Sequence, residues 1–289
     1  MGTTIRTIAL FSVLSLLFVI VGWAIGTFFM GDWMIMTLVF LAFSIGINVF
    51  SYFMSAKLVL MSYRAKIVKP EEAPRLYSAV NRVCQKADMP MPKVAIMQTA
   101  TPNAFATGRN QNNAVVAATT GLLDILSDDE LEGVLAHEMA HVKDKDILVM
   151  TIAATIVGAI SIAARMMFFS NMSGGNRRSN DSGWLLLIVA ITIPIAALLI
   201  RLAISRSREY KADREGAVFI QRPRSLANAL AKLEQGNKRR PMDRGNPASA
   251  SLFIVNPFRG EGLLSIFSTH PPIKERIKRL EDLAREKNY

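Results

Sequence analysis

Val134-Leu135-Ala136-His137-Glu138-Met139-Ala140-His141 is the stretch from which the fold is read. Helix positions four apart stack on one face. His137 and His141 can therefore close on a single metal ion, with Glu138 projecting beside it. This is the HExxH arrangement, in which two imidazoles hold zinc and the glutamate serves as general base. The chain has only 3 histidines, so a chance match is rare. The plain alternative is a surface helix that carries two histidines. The flanks argue for the motif. In Ser127-Asp128-Asp129-Glu130, a serine is followed three residues on by a glutamate, which makes a capping box, and the acidic first turn suits the helix dipole. Leu131, Val134, Leu135 and Val142 recur at helical spacing. A helix starting near Asp128 is expected. The charged run Lys143-Asp144-Lys145-Asp146 then ends it in water or at a membrane surface, not deep in lipid.

Two histidines leave zinc short of a ligand, because catalytic sites usually use three protein ligands and one open position. A candidate lies downstream in Ser205-Arg206-Ser207-Arg208-Glu209-Tyr210-Lys211-Ala212-Asp213. Glu209 and Asp213 share a helical face. One carboxylate can bind the metal while the other accepts the free N–H of a ligating histidine. A surface pair among bases is the competing reading.

The hydrophobic segments set the architecture. The chain of 289 residues is 51% hydrophobic, with a mean hydropathy of +0.27. Thr7 to Met30 and Trp33 to Ala56 carry no charge until the Gly31-Asp32 turn between them, and each has the ~17–25 apolar residues of a spanning helix. The first run is too long for a signal peptide, lacks a clear cleavage site and is followed at once by the second. Both read as a hairpin, with Trp23, Phe28, Phe29 and Trp33 as an interfacial aromatic belt. Ile147 to Ala164 and Trp184 to Ile200 are shorter and end at Arg165 and Arg201, which can snorkel. Pro194 is tolerable in a membrane helix. A buried hairpin of a soluble domain is the alternative for these two runs; their length favours spanning. Ser170 to Gly183 between them reads as an exposed loop.

An even number of spans between His141 and Glu209 keeps both on one side of the membrane, as a shared metal requires. Lys57, Arg64, Lys66 and Lys69 follow the second run, and Arg206, Arg208, Lys211 and Arg214 follow the fourth. Such an excess marks the cytoplasmic face, although Arg177 and Arg178 run against it. The net charge of +11 and pI of 10.0 then reflect contact with anionic headgroups. No nucleic-acid motif and no basic strip interleaved with aromatics accompanies them, so nucleic acid is not an expected partner. Cys84 stands alone, with no base in view to activate it.

In the soluble part, Glu71 to Ala87 reads as a helix, broken by Pro90 and Pro92. Val94 to Met97 and Ala114 to Ala118 read as strands, with Asn103 to Gly108 as a third strand or a turn. Asn103, Ala104 and Phe105 are candidates for an edge to which a peptide substrate adds; a plain hairpin is the alternative. Leu226, Leu230 and Leu233 mark an amphipathic helix, Gln235 to Asn246 a polar loop, and Ile273 to Lys287 a charged final helix. Ser251 to Phe258 is apolar and either covers the cleft or packs on the membrane. His270, in Thr269-His270-Pro271-Pro272, is placed either to hydrogen-bond a developing oxyanion or to enter the last helix. There is no internal repeat.

These pieces in this order resemble the HtpX-type membrane zinc metallopeptidases, of the broader family that includes the Ste24 CAAX prenyl proteases. The matching text is Thr101-Pro102-Asn103-Ala104-Phe105-Ala106-Thr107-Gly108, the Val134 to His141 stretch, Ser205 to Asp213, and Thr269 to Pro272. The resemblance implies that His137, His141 and Glu209 hold one zinc ion per chain, that Glu138 is the catalytic base, and that Asp213 supports a ligand. It implies a membrane endopeptidase of quality control and stress response in the bacterial inner membrane, cleaving membrane proteins or unfolded polypeptides. The fold expected is mainly α: four transmembrane helices plus a cytoplasmic α+β, zincin-like catalytic domain with a small sheet. Its parts are a transmembrane hairpin at residues 1–56, a catalytic part at 57–146, a second hairpin at 147–204 and a C-terminal part at 205–289. Three rivals stand beside it. An intramembrane site-2-type protease conflicts with the charged brackets around the motif. A prenyl-protein protease is expected to be longer. A zinc-stabilised scaffold or adaptor leaves Glu138 without a role.

Overall fold

A computed structural model of the chain describes residues 3–156, 205–242, 250, 252–258 and 271–287. Helix α1 (Thr3–Ile25) passes through a π-helical turn at Gly26–Met30 into Gly31, whose φ of 73° suits glycine. Asp32 then caps α2 (Trp33–Ser62), its side chain accepting from the Ile35 amide at 2.9 Å. Both helices are long and apolar enough to cross a bilayer. Their large side chains point outward: Leu16, Leu38, Phe43 and Phe53 are all more than half exposed, a pattern that lipid satisfies and water does not. Polar atoms are kept between the helices instead. Ser44 Oγ lies 2.8 Å from Ser15 Oγ, and Asn48 Nδ2 donates to Ser15 Oγ at 2.9 Å. Such contacts hold helices together where burial of apolar surface gives no driving force.

Beyond α2 come β1 (Lys66–Ile67), α3 (Pro74–Ala87), β2 (Lys93–Met97), β3 (Ala104–Gly108), β4 (Ala114–Thr119), α4 (Thr120–Ile125) and α5 (Asp128–Lys143). α3 opens on Pro74, the position where a missing N–H costs nothing. It is therefore shorter than the Glu71 start expected from sequence. Cys84 is buried in α3, and burial pushes its thiol up to about 11. A turn at Asp144 and Lys145 leads into α6, described over Asp146–Ile156. After the gap follow α7 (Arg206–Ile220), α8 (Pro223–Arg239) and α9 (Ile273–Glu286). The expected spans at Ile147 to Ala164 and Trp184 to Ile200 lie partly and wholly outside the described residues.

The sheet is mixed, in the order β1-β2-β4-β3, with β2 parallel to β4 and both outer pairs antiparallel. Every residue of β3 and β4 is buried. Short apolar runs without alternation are what a sheet covered on both faces requires. Ala104, Ala106, Val116 and Ala118 meet α3, α5 and α8 on one face. Phe105, Val115 and Ala117 meet the end of α2 at Val59 and Leu60, Met150 of α6, and Leu252 and Phe253 on the other.

α8 runs on to Arg239 where a loop was expected from Gln235. Asn237 is buried there and donates to the carbonyls of Leu233 and Pro102, at 2.9 and 3.1 Å. A tertiary contact thus extends a helix through residues of poor propensity. The apolar segment around Phe253 lies inside, against β3, not on the membrane.

α5 is set by its cap. Ser127 Oγ accepts from the Glu130 amide at 3.3 Å, and Glu130 Oε2 accepts from the Ser127 amide at 2.8 Å. We predict that Ser127→Ala destabilises the protein by ~1 kcal/mol, as lost N-caps do, seen as a lower melting temperature in detergent with the metal content unchanged. An unaltered melt would show that tertiary packing alone fixes the start of α5.

Candidate metal centre

α5 is enclosed on nearly all sides, with every residue from Glu130 to Val142 buried. The motif histidines therefore sit in protein and not on a surface. His137 and His141 are one turn apart, their rings 4.8 Å between centroids and nearly perpendicular. α7 crosses α5 at very close range. A Cβ on Gly216 would lie 2.7 Å from the His137 amide nitrogen, so only glycine allows this approach. The crossing brings Glu209, buried to 1% exposure, between the two rings. Glu209 Oε2 is 3.8 Å from His137 Nε2, and Oε1 is 3.5 Å from His141 Nε2. One ligand atom from each of the three residues lies within 4.8 Å of the others.

This donor set fits zinc. Zinc bonds of ~2.0–2.1 Å arranged tetrahedrally put ligand atoms about 3.4 Å apart, and the two histidine–carboxylate separations of 3.5 and 3.8 Å lie close to this. The orientation fits as well. Both Nε2 atoms turn toward Glu209, and both Nδ1 atoms turn toward carboxylates. His137 Nδ1 is 3.0 Å from Asp213 Oδ1, and His141 Nδ1 is 3.7 Å from Asp146 Oδ2. Carboxylates behind metal-binding imidazoles fix their tautomer and direction.

The two histidines are driven apart electrostatically. Burial lowers His137 to about 4, with the Arg276 charge adding to the fall and Asp213 opposing it. Burial works against a charge on His141 too, but the Asp146, Glu209 and Glu138 carboxylates outweigh it and raise that imidazole to about 9. Burial raises Glu138 to about 7, reinforced by Glu209, while the His141 charge and a hydrogen bond from the Ala106 N–H act the other way. Asp213 is held down at about 2; burial opposes this, and the Arg276 guanidinium overrides it.

Two groups here escaped the sequence reading. Arg276, fully buried on α9, grips both oxygens of Asp213, with Nε at 2.8 Å and Nη2 at 2.7 Å. Its Nη1 donates to the Ile254 carbonyl at 2.9 Å, and Nη2 sits 3.4 Å from His137 Nδ1. The last helix was expected to be charged and amphipathic, with no residue in the site. The available signal was register: Arg276 precedes Leu280 and Leu283 by four and seven positions, on the apolar stripe. Asp146 was read as part of a solvated charge run. It is 2% exposed and accepts from Arg208 Nη1 at 2.7 Å. No spacing rule places a residue beyond a helix end beneath a ring on that helix.

The other candidates divide. Asn103, Ala104 and Phe105 lie at or beside the start of β3, an edge strand of the sheet, and all are buried. The edge expected there is already covered. The Ala104 carbonyl accepts from the Ile254 amide at 3.3 Å, and Asn103 Nδ2 donates to the Val255 carbonyl at 2.6 Å. Phe105 meets Tyr63 at a tilt and Phe253 edge-on. Ala106, next along the outward-facing side of β3, is the one that reaches Glu138. His270 lies outside the described residues.

A family profile described as Peptidase family M48 matches residues 70–284. A protein named Protease HtpX homolog from Syntrophobacter fumaroxidans is 48% identical over 288 residues, covering 98% of this chain and 100% of that protein. A namesake from Methanocaldococcus jannaschii is 53% identical over 245 residues, covering 82% and 85%. Among solved structures, the crystal structure of S. mikatae Ste24p is similar with a TM-score of 0.51 at 18% identity, covering 96% of this chain. The chain spans 65% of the length of that structure. At this identity the likeness is one of fold.

The α5–α7 crossing and the buried arginine each generate a prediction. Gly216→Val should force α7 away from His137 and lower zinc affinity at least ~10-fold, the scale of supporting-residue losses, measured by competition with a chromogenic chelator. Wild-type affinity would show that the crossing tolerates a side chain. Arg276→Met leaves Asp213 buried without its partner and should cost ~3–5 kcal/mol, read from thermal or denaturant unfolding; a cost below ~1 kcal/mol would mean that Asp213 is not held by Arg276.

Proposed function

The chain belongs to peptidase family M48 and is a membrane-associated metalloprotease, and we propose that it is an integral-membrane zinc endopeptidase with its site on the cytoplasmic face. Its substrates in this reading are unfolded or misfolded membrane proteins. The observation that carries it is the convergence of His137 and His141 from α5 with Glu209 from α7.

His137, His141 and Glu209 would hold the ion. The chemistry it supplies is Lewis-acid activation of water and of a peptide carbonyl. Glu138 is the proton carrier. It follows His137 directly on α5, is 3% exposed, and has its carboxylate steadied by the Ala106 N–H. It takes the proton of the attacking water and delivers it to the departing amine nitrogen. Asp213 accepts from His137 Nδ1 and keeps Nε2 directed at the site, and Arg276 keeps Asp213 ionised and in place. The near-complete burial of these groups excludes bulk water, which strengthens each electrostatic contact.

Orientation is supported by charge. Lys57, Arg64, Lys66 and Lys69 lie at the far end of α2, and the Gly31-Asp32 turn carries no base. The likeness to the Protease HtpX homologs, over nearly the whole chain, supports polypeptide substrates, and the two apolar helices put the site beside a membrane.

Glu138→Gln is predicted to lower peptide cleavage by ~10²–10⁴-fold, the range of general-base losses, while zinc measured by atomic emission stays at one per chain. Turnover near the wild-type rate by the purified variant would remove Glu138 from the reaction. Glu209→Ala should reduce bound zinc, and unchanged metal content would remove it from the metal site. Assayed side by side on detergent-purified protein, an unfolded membrane protein and casein should be cut, and a prenylated CAAX peptide should not. Cleavage of the prenylated peptide alone would overturn the substrate assignment.

A further inference from the structure

α2 ends at Ser62, and the chain turns there through Tyr63 and Arg64, the latter at φ 50°. At this turn lies a cavity of about 1010 Å³ that shares no lining residue with His137, His141 or Glu209. Three elements build its wall: Tyr63 and Arg64 after α2, Gln98 and Thr99 after β2, and Arg239 and Arg240 at the end of α8. Three arginines line it, all exposed, and none of its lining residues is acidic.

Such a cavity repels cations and selects an anion with several acceptor oxygens. A phosphate matches the forked donors of arginine better than a single carboxylate does. The depth says where the phosphate comes from. Lys57 is the first charge along α2. At ~1.5 Å of rise per residue, Ser62 lies only about 7 Å further along the axis. The polar zone of a bilayer adds ~5–7 Å to each side of its hydrocarbon core, so arginines at this level reach the headgroups. Two apolar side chains next to the turn support this placement: Met61 is 63% exposed and Ile67 is 48% exposed. An interfacial rim accommodates them, with their apolar ends toward the acyl chains.

We propose that this cavity binds the phosphate of an anionic phospholipid headgroup. The inference rests on the membrane placement of α1 and α2 given above and is independent of the metal chemistry. Its structural consequence is local to the sheet: the Tyr63 ring is 5.0 Å from that of Phe253 and 5.9 Å from that of Phe105, on the strand that runs beside Glu138.

The test titrates the full-length protein in detergent with dioctanoyl phosphatidylglycerol, dioctanoyl phosphatidylcholine and inorganic phosphate, counting bound molecules by native mass spectrometry. Zinc content and casein cleavage are recorded on the same samples, so a failed lipid site and a failed protease reading are told apart. One saturable phosphatidylglycerol per chain is expected, bound at least ~10-fold more tightly than phosphatidylcholine. The triple variant R64Q/R239Q/R240Q should weaken it on the order of 100-fold, from the usual gain per basic residue near an anionic surface. K274Q/K278Q/R285Q, which removes three exposed charges from α9, should weaken it less than ~3-fold, since none of those residues lines the cavity and exposed charges are screened by salt. Equal affinity for the zwitterionic lipid, or equal loss in the two triple variants, would overturn the site. Inorganic phosphate binding as tightly as phosphatidylglycerol would assign the cavity to a free anion and overturn the lipid. If the cavity variant fails to melt cooperatively, the wild-type ratio of the two lipids decides alone.

Discussion

Glu209 reaches the two imidazoles because α7 lies almost in backbone contact with α5, and that distance is set by the missing side chain of Gly216 against the His137 amide. Everything at the site follows from this crossing. The two histidines are fixed to each other by one helical turn and need no further help to converge. The carboxylate comes from a segment more than sixty residues away and has no local reason to be there. The packed sheet, α3 and α8 act as a vice around α5, and the capped start of that helix sets which of its faces meets α7. The approach of Glu209 to the imidazoles is thus delegated to core packing, which is dense and resists deformation.

The crossing creates an electrostatic problem, because it buries a cluster of like charges. Glu138, Glu209, Asp213 and Asp146 are all nearly inaccessible. Four carboxylates in one dry volume cannot all remain ionised without cations, since desolvation alone costs several kcal/mol per ion. Arg276 answers Asp213 and Arg208 answers Asp146. The two carboxylates so neutralised are those behind the imidazoles. Glu138 and Glu209 also feel the Arg276 charge, and a divalent cation held by His137, His141 and Glu209 would add to that balance. Arg276 and Arg208 thus single out the two carboxylates that lie behind the imidazoles.

The same division explains what the sequence made legible. α5 was readable because its signals are local: a capping box, an apolar period and a motif within fifteen residues. β4 was readable as a short apolar run. The pair Glu209 and Asp213 was readable as a helical face, but spacing left open which acid lies where; in the structure Asp213 is at Nδ1 of His137 and Glu209 at Nε2. Arg276 and Asp146 were not readable as parts of the site, because their roles depend on partners 63 and 62 positions away. The end of α8 was misread for the same reason, since Gly236 and Asn237 look like breakers until Pro102 is placed beside them. Local rules fail where a tertiary contact supplies what propensity withholds.

The sheet joins the membrane to the chemistry. Its two faces have different neighbours: α5 with the metal-binding residues on one, and the emerging end of α2 on the other. β3 contributes to both, with Ala104 and Ala106 on the first side and Phe105 on the second. Any force that moves Tyr63 at the end of α2 acts on Phe105 and Phe253 through direct ring contacts, and Phe105 cannot shift without carrying Ala106, whose amide steadies Glu138. Close packing transmits such shifts instead of absorbing them. The end of α2 and Glu138 are linked through two neighbouring residues of one strand, Phe105 and Ala106, so the hairpin of apolar helices is in packing contact with the site.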